Sequence, residues 1–389
     1  MTGEGGRAAR GTDGEDERLA RAVWSRIAEP GDAAAHERVS SEGAVVALES
    51  VRRGESEARW AQRLRHLGDV ASTTATQRGV RVIVPGDDEW PAGLDDLAEA
   101  APFCLWVRGE ENLAEVLHRS VAVVGARAST GYGDYVAGEL GVGCGAAGFA
   151  VTSGAAYGID GSAHRGALAS DHPTVAVLAC GVDRAYPRGH EKLLERIVGQ
   201  GLLVSEVPPG SSPTRWRFLQ RNRLIAAMTR GTVVVEAAMR SGALSTARRA
   251  MELGRHVGAV PGPVTSEASV GCLALLRAGA TCVTSAEQVV EMVANIGERL
   301  GPDEGRVQDG RPGEADGRRP HDGLSPDLLR VLDGLPKRAW ASSTSVARVA
   351  GLVRQRPGPP VSPGPAGLGQ LPGHRGLPAA ERAGRRARR

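Results

Sequence analysis

The chain has 389 residues, of which 41% are hydrophobic and 24% charged, an ordinary globular composition and more than one core usually serves, so roughly two or three domains are expected. Its net charge of +3 is too small to imply nucleic acid by itself, and with aromatics at only 3% the core must rest on Ala, Val and Leu. Five dispersed cysteines with no CxxC exclude a zinc ribbon and a disulfide framework, and no apolar run reaches the length of a membrane span, so a cytoplasmic protein with no membrane association is expected.

Residues 1–15 are polar, lack a signal-peptide core and are expected to be disordered. Over residues 16–78 Leu19, Ala22, Val23 and Ile27 share one helical face, and a second apolar stretch runs from Gly43 to Leu48. The pattern predicts a small N-terminal helical domain. Residues 80–84 read as a strand closed by the turn Pro85-Gly86-Asp87-Asp88, and residues 103–109 as another extended run. These lead into the main domain, assigned to residues 79–296.

Within that domain, strands are predicted at 121–124, 149–152, 174–179, 202–205, 232–236 and 256–260. Helices are predicted between them at 132–147, 162–169, 191–198, 221–229 and 243–253. The strands are short continuous apolar runs, as parallel strands covered on both faces require. The fold class is therefore α/β, a doubly wound parallel sheet. Residues 297–323 form a charged Gly/Pro linker, and residues 324–352 carry two short helical patterns. From Arg354 onward the chain holds eight Arg against one Glu, Glu381, so residues 353–389 are expected to be a disordered tail.

Ligands of an open α/β sheet sit beyond the carboxyl ends of its strands. After the first strand comes Gly125-Ala-Arg-Ala-Ser-Thr-Gly-Tyr-Gly133, where Gly125 permits close backbone approach and Arg127 and Ser129 offer donors to a phosphate, though a tight structural turn reads equally well. The second strand leads into Ser153 and Gly154, with Asp160 as a candidate N-cap and His164 as a packed or, less readily, catalytic histidine. Tyr186-Pro187 reads as a packing turn. The segment Arg215-Trp-Arg-Phe-Leu-Gln-Arg-Asn-Arg223 places four arginines and two aromatics in nine residues. Such interleaving suits single-stranded nucleic acid, with Arg on phosphates and rings on bases. A further small-residue loop, with Ser241, Gly242 and Thr246, again suits phosphate. Glu236 and Glu206 are isolated acids with no evident partner for acid/base work, so no catalytic role, metal or cofactor is expected.

In order, the segments VAVVGARASTGYG, SGAAYGIDGSAH, VAVLACGVDRAYP, SEVPPG, RNRLIAA, VVVEAAMRSGALSTARRA and AVPGPV resemble the DprA/Smf family over about residues 80–290. The resemblance implies an extended Rossmann fold that binds single-stranded DNA in a basic pocket, forms homodimers and loads RecA in transformation and recombination. It carries phosphate contacts onto Gly125, Arg127, Ser129, Ser153, Gly154, Arg221, Asn222 and Arg223, and an adjacent ring onto Phe218. Two features depart from the family. Leu219 stands where a proline is frequent, which removes a fixed φ just before the arginines. Residues 324–352 resemble the start of a winged-helix domain that is then incomplete, and a frameshift near residue 353 would account for the Arg-rich remainder. The alternative is a nucleotide-processing enzyme of the phosphoribohydrolase type, but the loop that would carry its acid continues as Ala247-Arg-Arg. A dinucleotide-dependent oxidoreductase is disfavoured because no G-x-G-x-x-G follows the first strand.

Overall fold

The structure, a computed structural model, describes residues 5–67, 79–295 and 298. Four helices open it: α1 (Gly5–Ile27), α2 (Ala33–Glu42), α3 (Ala44–Arg53) and α4 (Ala58–His66). Their inner faces close one apolar cluster in which Trp24 meets Trp60 edge to face at 5.3 Å. Phe103, from the segment leading to the sheet, belongs to the same cluster, so the helical module shares a core with the rest of the chain. The first helix begins at Gly5, within the stretch 1–15 for which disorder is expected.

Nine strands follow: β1 (Val80–Ile83), β2 (Leu105–Arg108), β3 (Ser120–Val124), β4 (Ala150–Ser153), β5 (Thr174–Leu178), β6 (Leu202–Ser205), β7 (Gly231–Val234), β8 (His256–Ala259) and β9 (Thr281–Cys282). They form a single sheet in the order β1-β2-β6-β5-β4-β3-β7-β8-β9. The lead-in strands β1 and β2 are antiparallel to each other, and β2 is antiparallel to β6. Every other pairing is parallel. This is the doubly wound, Rossmann-like sheet that the strand–helix alternation predicts.

The helices of this region are α5 (Leu113–His118), α6 (Gly131–Ala146), α7 (Ile159–Ala169), α8 (Glu191–Gln200), α9 (Arg215–Met228), α10 (Gly242–Glu252), α11 (Val270–Arg277) and α12 (Ala286–Val293). Alternate strand residues feed opposite cores, as the two-residue strand period demands. Ala122 and Val124 pack toward α5, α9, α10 and α11, whereas Val121 and Val123 pack toward α6, α7 and α12. Toward the β6 side, Trp106, Leu178 and Leu203 meet α8 in a third cluster. Helix α9 starts at Arg215 instead of residue 221, because the Thr214 hydroxyl caps it by accepting the Arg217 N–H at 3.2 Å. The pair β9 and α12 has no counterpart among the predicted elements, since the two residues of β9 are exposed and carry no apolar run.

From β3 the chain winds through β4 and β5 to β6, then returns to place β7 on the other side of β3. The loops after β3 and β7 therefore diverge and leave a crevice at the switch point. The predicted linker 297–323, apart from Glu298, and the predicted segments 324–352 and 353–389, with the frameshift expected near residue 353, lie outside the described residues. Among the described residues no helix is long and apolar enough to cross a membrane. All five cysteines are free, and four of them are buried.

Candidate nucleic-acid interface

A cavity of about 740 Å³ opens at this switch point, beyond the carboxyl ends of β3, β4 and β7. Gly125 and Arg127 line it from the loop after β3, Ala156 from the loop after β4, Asp160 from the first turn of α7, and Ser241 and Gly242 from the start of α10. The longest wall is α9, which contributes Arg215, Trp216, Phe218, Leu219, Arg221, Asn222 and Ile225. Residues 215, 218, 222 and 225 recur at helical spacing on one face. Arg223 does not belong to that face. Two residues beyond Arg221, it is turned by about 200° around the helix. There its guanidinium pairs with Glu206 at 2.6 Å, with side-chain exposures of only 3% and 10%.

Two of the three arginines lining the cavity lie close to one ring. The Arg127 guanidinium lies 4.6 Å from the centroid of Phe218, and that of Arg221 lies 5.9 Å from it. Tyr186, from the loop after β5, adds a half-exposed ring whose centroid is 5.6 Å from that of Phe218. Arg127 is exposed and has no carboxylate partner among the described residues. It is therefore free to meet an anion while its guanidinium sits over the Phe218 ring in a cation–π contact.

Arg221 forms the floor. It is buried and donates from Nη1 to the Val177 carbonyl and from Nε to the Asn222 side chain at 3.3 Å. Burial pulls its pKa down to about 10, opposed by the charge of Asp160 and assisted by that of Arg127, so it remains a cation at neutral pH. Gly154 explains how it fits: a Cβ at that position would occupy the place of the guanidinium. Asp160 accepts the N–H groups of Gly154 and Ala156 at 3.2 and 3.3 Å, which fixes the loop beneath Arg221. Burial raises the Asp160 carboxyl, and the Arg221 charge is the first influence holding it down. The cap of α7 is Gly158, so Asp160 is not the N-cap that its position suggested.

Glu236 at the end of β7 knits the crevice together. Its two carboxylate oxygens accept from the Thr130 N–H at 2.9 Å and the Thr130 hydroxyl at 2.6 Å, and Thr130 in turn caps α6. Its carbonyl accepts the Ala126 N–H at 2.7 Å. Gly125 is required here, since a Cβ would meet Ile159 and the Glu236 carbonyl. Across the cavity, Asn222 donates to the Gly242 carbonyl at 3.2 Å, and the Ser241 hydroxyl accepts the Ala243 N–H at 3.3 Å, capping α10. The dipole of α10 thus begins at the cavity wall, where it favours an anion.

Of the residues expected at the site, Gly125, Arg127, Phe218, Arg221, Asn222, Ser241 and Gly242 are brought together. Three others are placed elsewhere. Ser153 is fully buried and donates to the Val123 carbonyl at 2.7 Å, bracing β4 against β3. The Ser129 hydroxyl donates to Asp134 at 2.6 Å, outside the cavity wall. Arg223 is committed to Glu206. Gly154 acts by making room for Arg221. In the sequence Tyr186 reads as part of a packing turn and Asp160 as an N-cap, so neither is singled out for the site, although both follow predicted strands. His164 is fully buried and bonds Thr174 Oγ1 at 2.8 Å, which is the packed role.

A doubly wound sheet with a cation-and-aromatic cavity at its switch point defines a Rossmann-like protein suited to a polyanion. The chain belongs to the DNA recombination-mediator protein A family, also called DprA/Smf, whose model matches residues 81–294. It is 46% identical over 347 residues to a DNA processing protein DprA of Mycobacterium tuberculosis, covering 85% of this chain and 86% of that protein. It is 40% identical over 204 residues to DprA of Streptococcus pneumoniae, covering 52% of this chain and 71% of that one. The X-ray structure of DprA from Streptococcus pneumoniae superposes with a TM-score of 0.62 at 30% identity, covering 72% of this chain and 98% of that chain. A structure of Helicobacter pylori DprA, concerned with its single-stranded DNA binding mode, matches with a TM-score of 0.49 at 26% identity over 55% of this chain and 94% of that chain.

Proposed function

We propose that this chain binds single-stranded DNA in the switch-point cavity, as a homodimer in the cytoplasm, and helps load RecA onto the bound strand during transformation or recombination, without turnover. The observation that carries the reading is the Phe218 ring with the Arg127 and Arg221 guanidinium carbons 4.6 and 5.9 Å from its centroid. A ring and two cations at that spacing hold a base and its flanking phosphates, whereas a duplex presents no unstacked base to such a pocket. RecA loading and dimer formation rest on family membership. The acids at or near the crevice are engaged in holding the fold: Glu236 has both oxygens on Thr130, Glu206 is paired with Arg223, and Asp160 accepts the Gly154 and Ala156 N–H groups.

The test is binding of labelled oligo-dT and of its duplex across a salt series. The single strand binds more tightly, with affinity falling as salt rises, and Arg127→Ala flattens the log–log slope by about 0.7 for one lost phosphate. Equal affinity for duplex, or an unchanged slope in the variant, overturns the reading. Acceleration of RecA filament formation on the coated strand tests the loading step. Incubation with nucleoside monophosphates leaves them intact, and release of free base would restore the enzyme alternative.

A further inference from the structure

Trp216 stands apart from the Arg127–Phe218 cluster. It lines the cavity from the first turn of α9 with 49% of its surface exposed, and Leu219, one turn on, is 51% exposed. An indole with an apolar neighbour at i,i+3 is costly to leave in water and gains nothing from the fold's own core. Its orientation is nevertheless set. The indole Nε1–H donates to the Pro30 carbonyl at 3.1 Å, in the turn between α1 and α2. The neighbouring Arg217 forks onto Glu29 of that turn, Nε and Nη2 each at 3.1 Å from a carboxylate oxygen. Gly31, at a φ of 76°, lets the turn pass close over Gln220. The helical module therefore holds the polar edge of the indole and leaves a face to the cavity.

We infer that Trp216 is a second base-stacking platform, held by the N-terminal helical module, which takes a nucleobase next to the one at Phe218. The inference rests on the reading of the cavity as a single-strand site and extends it to a residue held by another part of the chain. A base is the occupant that fits, because it supplies a flat apolar face for the indole while Arg127 and Arg215 keep its phosphates. Among the described residues no group of three or more His, Cys, Asp or Glu side chains stands ready to hold a metal ion, and the one carboxylate lining the cavity, Asp160, is bonded to the Gly154 and Ala156 N–H groups.

The experiment compares oligo-dT with an oligomer of the same length built of abasic sites, on the full chain carrying Trp340→Phe. The other described tryptophans, Trp24, Trp60, Trp90 and Trp106, are buried, so accessible fluorescence in that background comes from Trp216. Oligo-dT quenches it and protects it from acrylamide; the abasic oligomer does not. Trp216→Ala weakens oligo-dT about five- to one-hundred-fold, the span of one stacked base, and leaves abasic binding within about twofold. Trp216→Phe, which keeps a ring, recovers most of the loss. An equal loss on both oligomers means a structural role and overturns the inference, as does unchanged fluorescence on binding. Arg127→Ala separates the two readings: if it weakens both oligomers while Trp216→Ala weakens neither, only the stacking inference fails; if it weakens neither, the site itself fails.

Discussion

Two arginines two residues apart are assigned opposite duties, and exchanging each for alanine separates them. Arg223→Ala leaves Glu206 as a buried carboxylate without its 2.6 Å partner, in a position where the side chain is only 10% exposed. Breaking such a pair costs about 3–5 kcal/mol, because the remaining charge keeps its desolvation penalty and loses the attraction that offset it. For a domain of this size that is a drop of about 6–20 °C in Tm. The assay is urea unfolding together with oligo-dT binding at a temperature where the variant is folded. Arg223→Ala unfolds early yet, once folded, binds within about twofold of the parent. Arg221→Ala does the reverse in binding, losing about tenfold or more as the cavity floor loses its cation. Should Arg223→Ala fail to fold, the pair Arg223→Met with Glu206→Leu supplies the test: it removes both charges at similar volume and is neutral or stabilising by about 1–4 kcal/mol. A stable Arg223→Ala protein that no longer binds would refute the placement of Arg223 in the core.

Gly154→Ala puts a methyl where the Arg221 guanidinium lies, so it reproduces the binding loss of Arg221→Ala. In a double-mutant cycle the two losses do not add, and additive losses would show that Gly154 acts some other way. His164 gives a pH dependence. Its ring is fully buried and burial pushes its pKa down to about 3 from the ordinary 6.5. The unfolded chain therefore takes up a proton below 6.5 that the folded chain refuses, so stability is lost as pH falls. The slope reaches about 1.4 kcal/mol per unit, or about 2 kcal/mol between pH 6.5 and 5. Urea unfolding at both pH values shows that difference shrinking in His164→Leu, and an unchanged difference would remove His164 as its source.

Much of the fold is legible along the chain because its causes are local. Continuous apolar runs such as residues 202–205 have a single use in a compact protein, a strand covered on both faces, and β6 coincides with that run. The boundaries that moved did so through contacts distant in sequence or through caps. Thr214 draws the start of α9 back to Arg215 and thereby places Trp216 and Phe218 on a helix. The exposed residues of β9 pair with β8 only because the sheet has already brought an edge to them.

The candidate site divides in the same way. Sequence by itself determined that an Arg-and-aromatic segment follows the fourth strand of a doubly wound domain, that small-residue loops close β3 and β7, and that the chain resembles DprA/Smf. Those are properties of residue type, spacing and order. Tertiary structure decided which members of the segment face the cavity, since that depends on the rotational phase of α9 against the sheet. Arg221 points to the crevice and Arg223 to Glu206 because a helix turns about 100° per residue, and a string of letters does not show where the crevice lies. It also decided that Ser153 braces a strand, that Tyr186 reaches Phe218 from another loop, and that Pro30 holds Trp216. Each of these joins residues that only the packed sheet brings within reach.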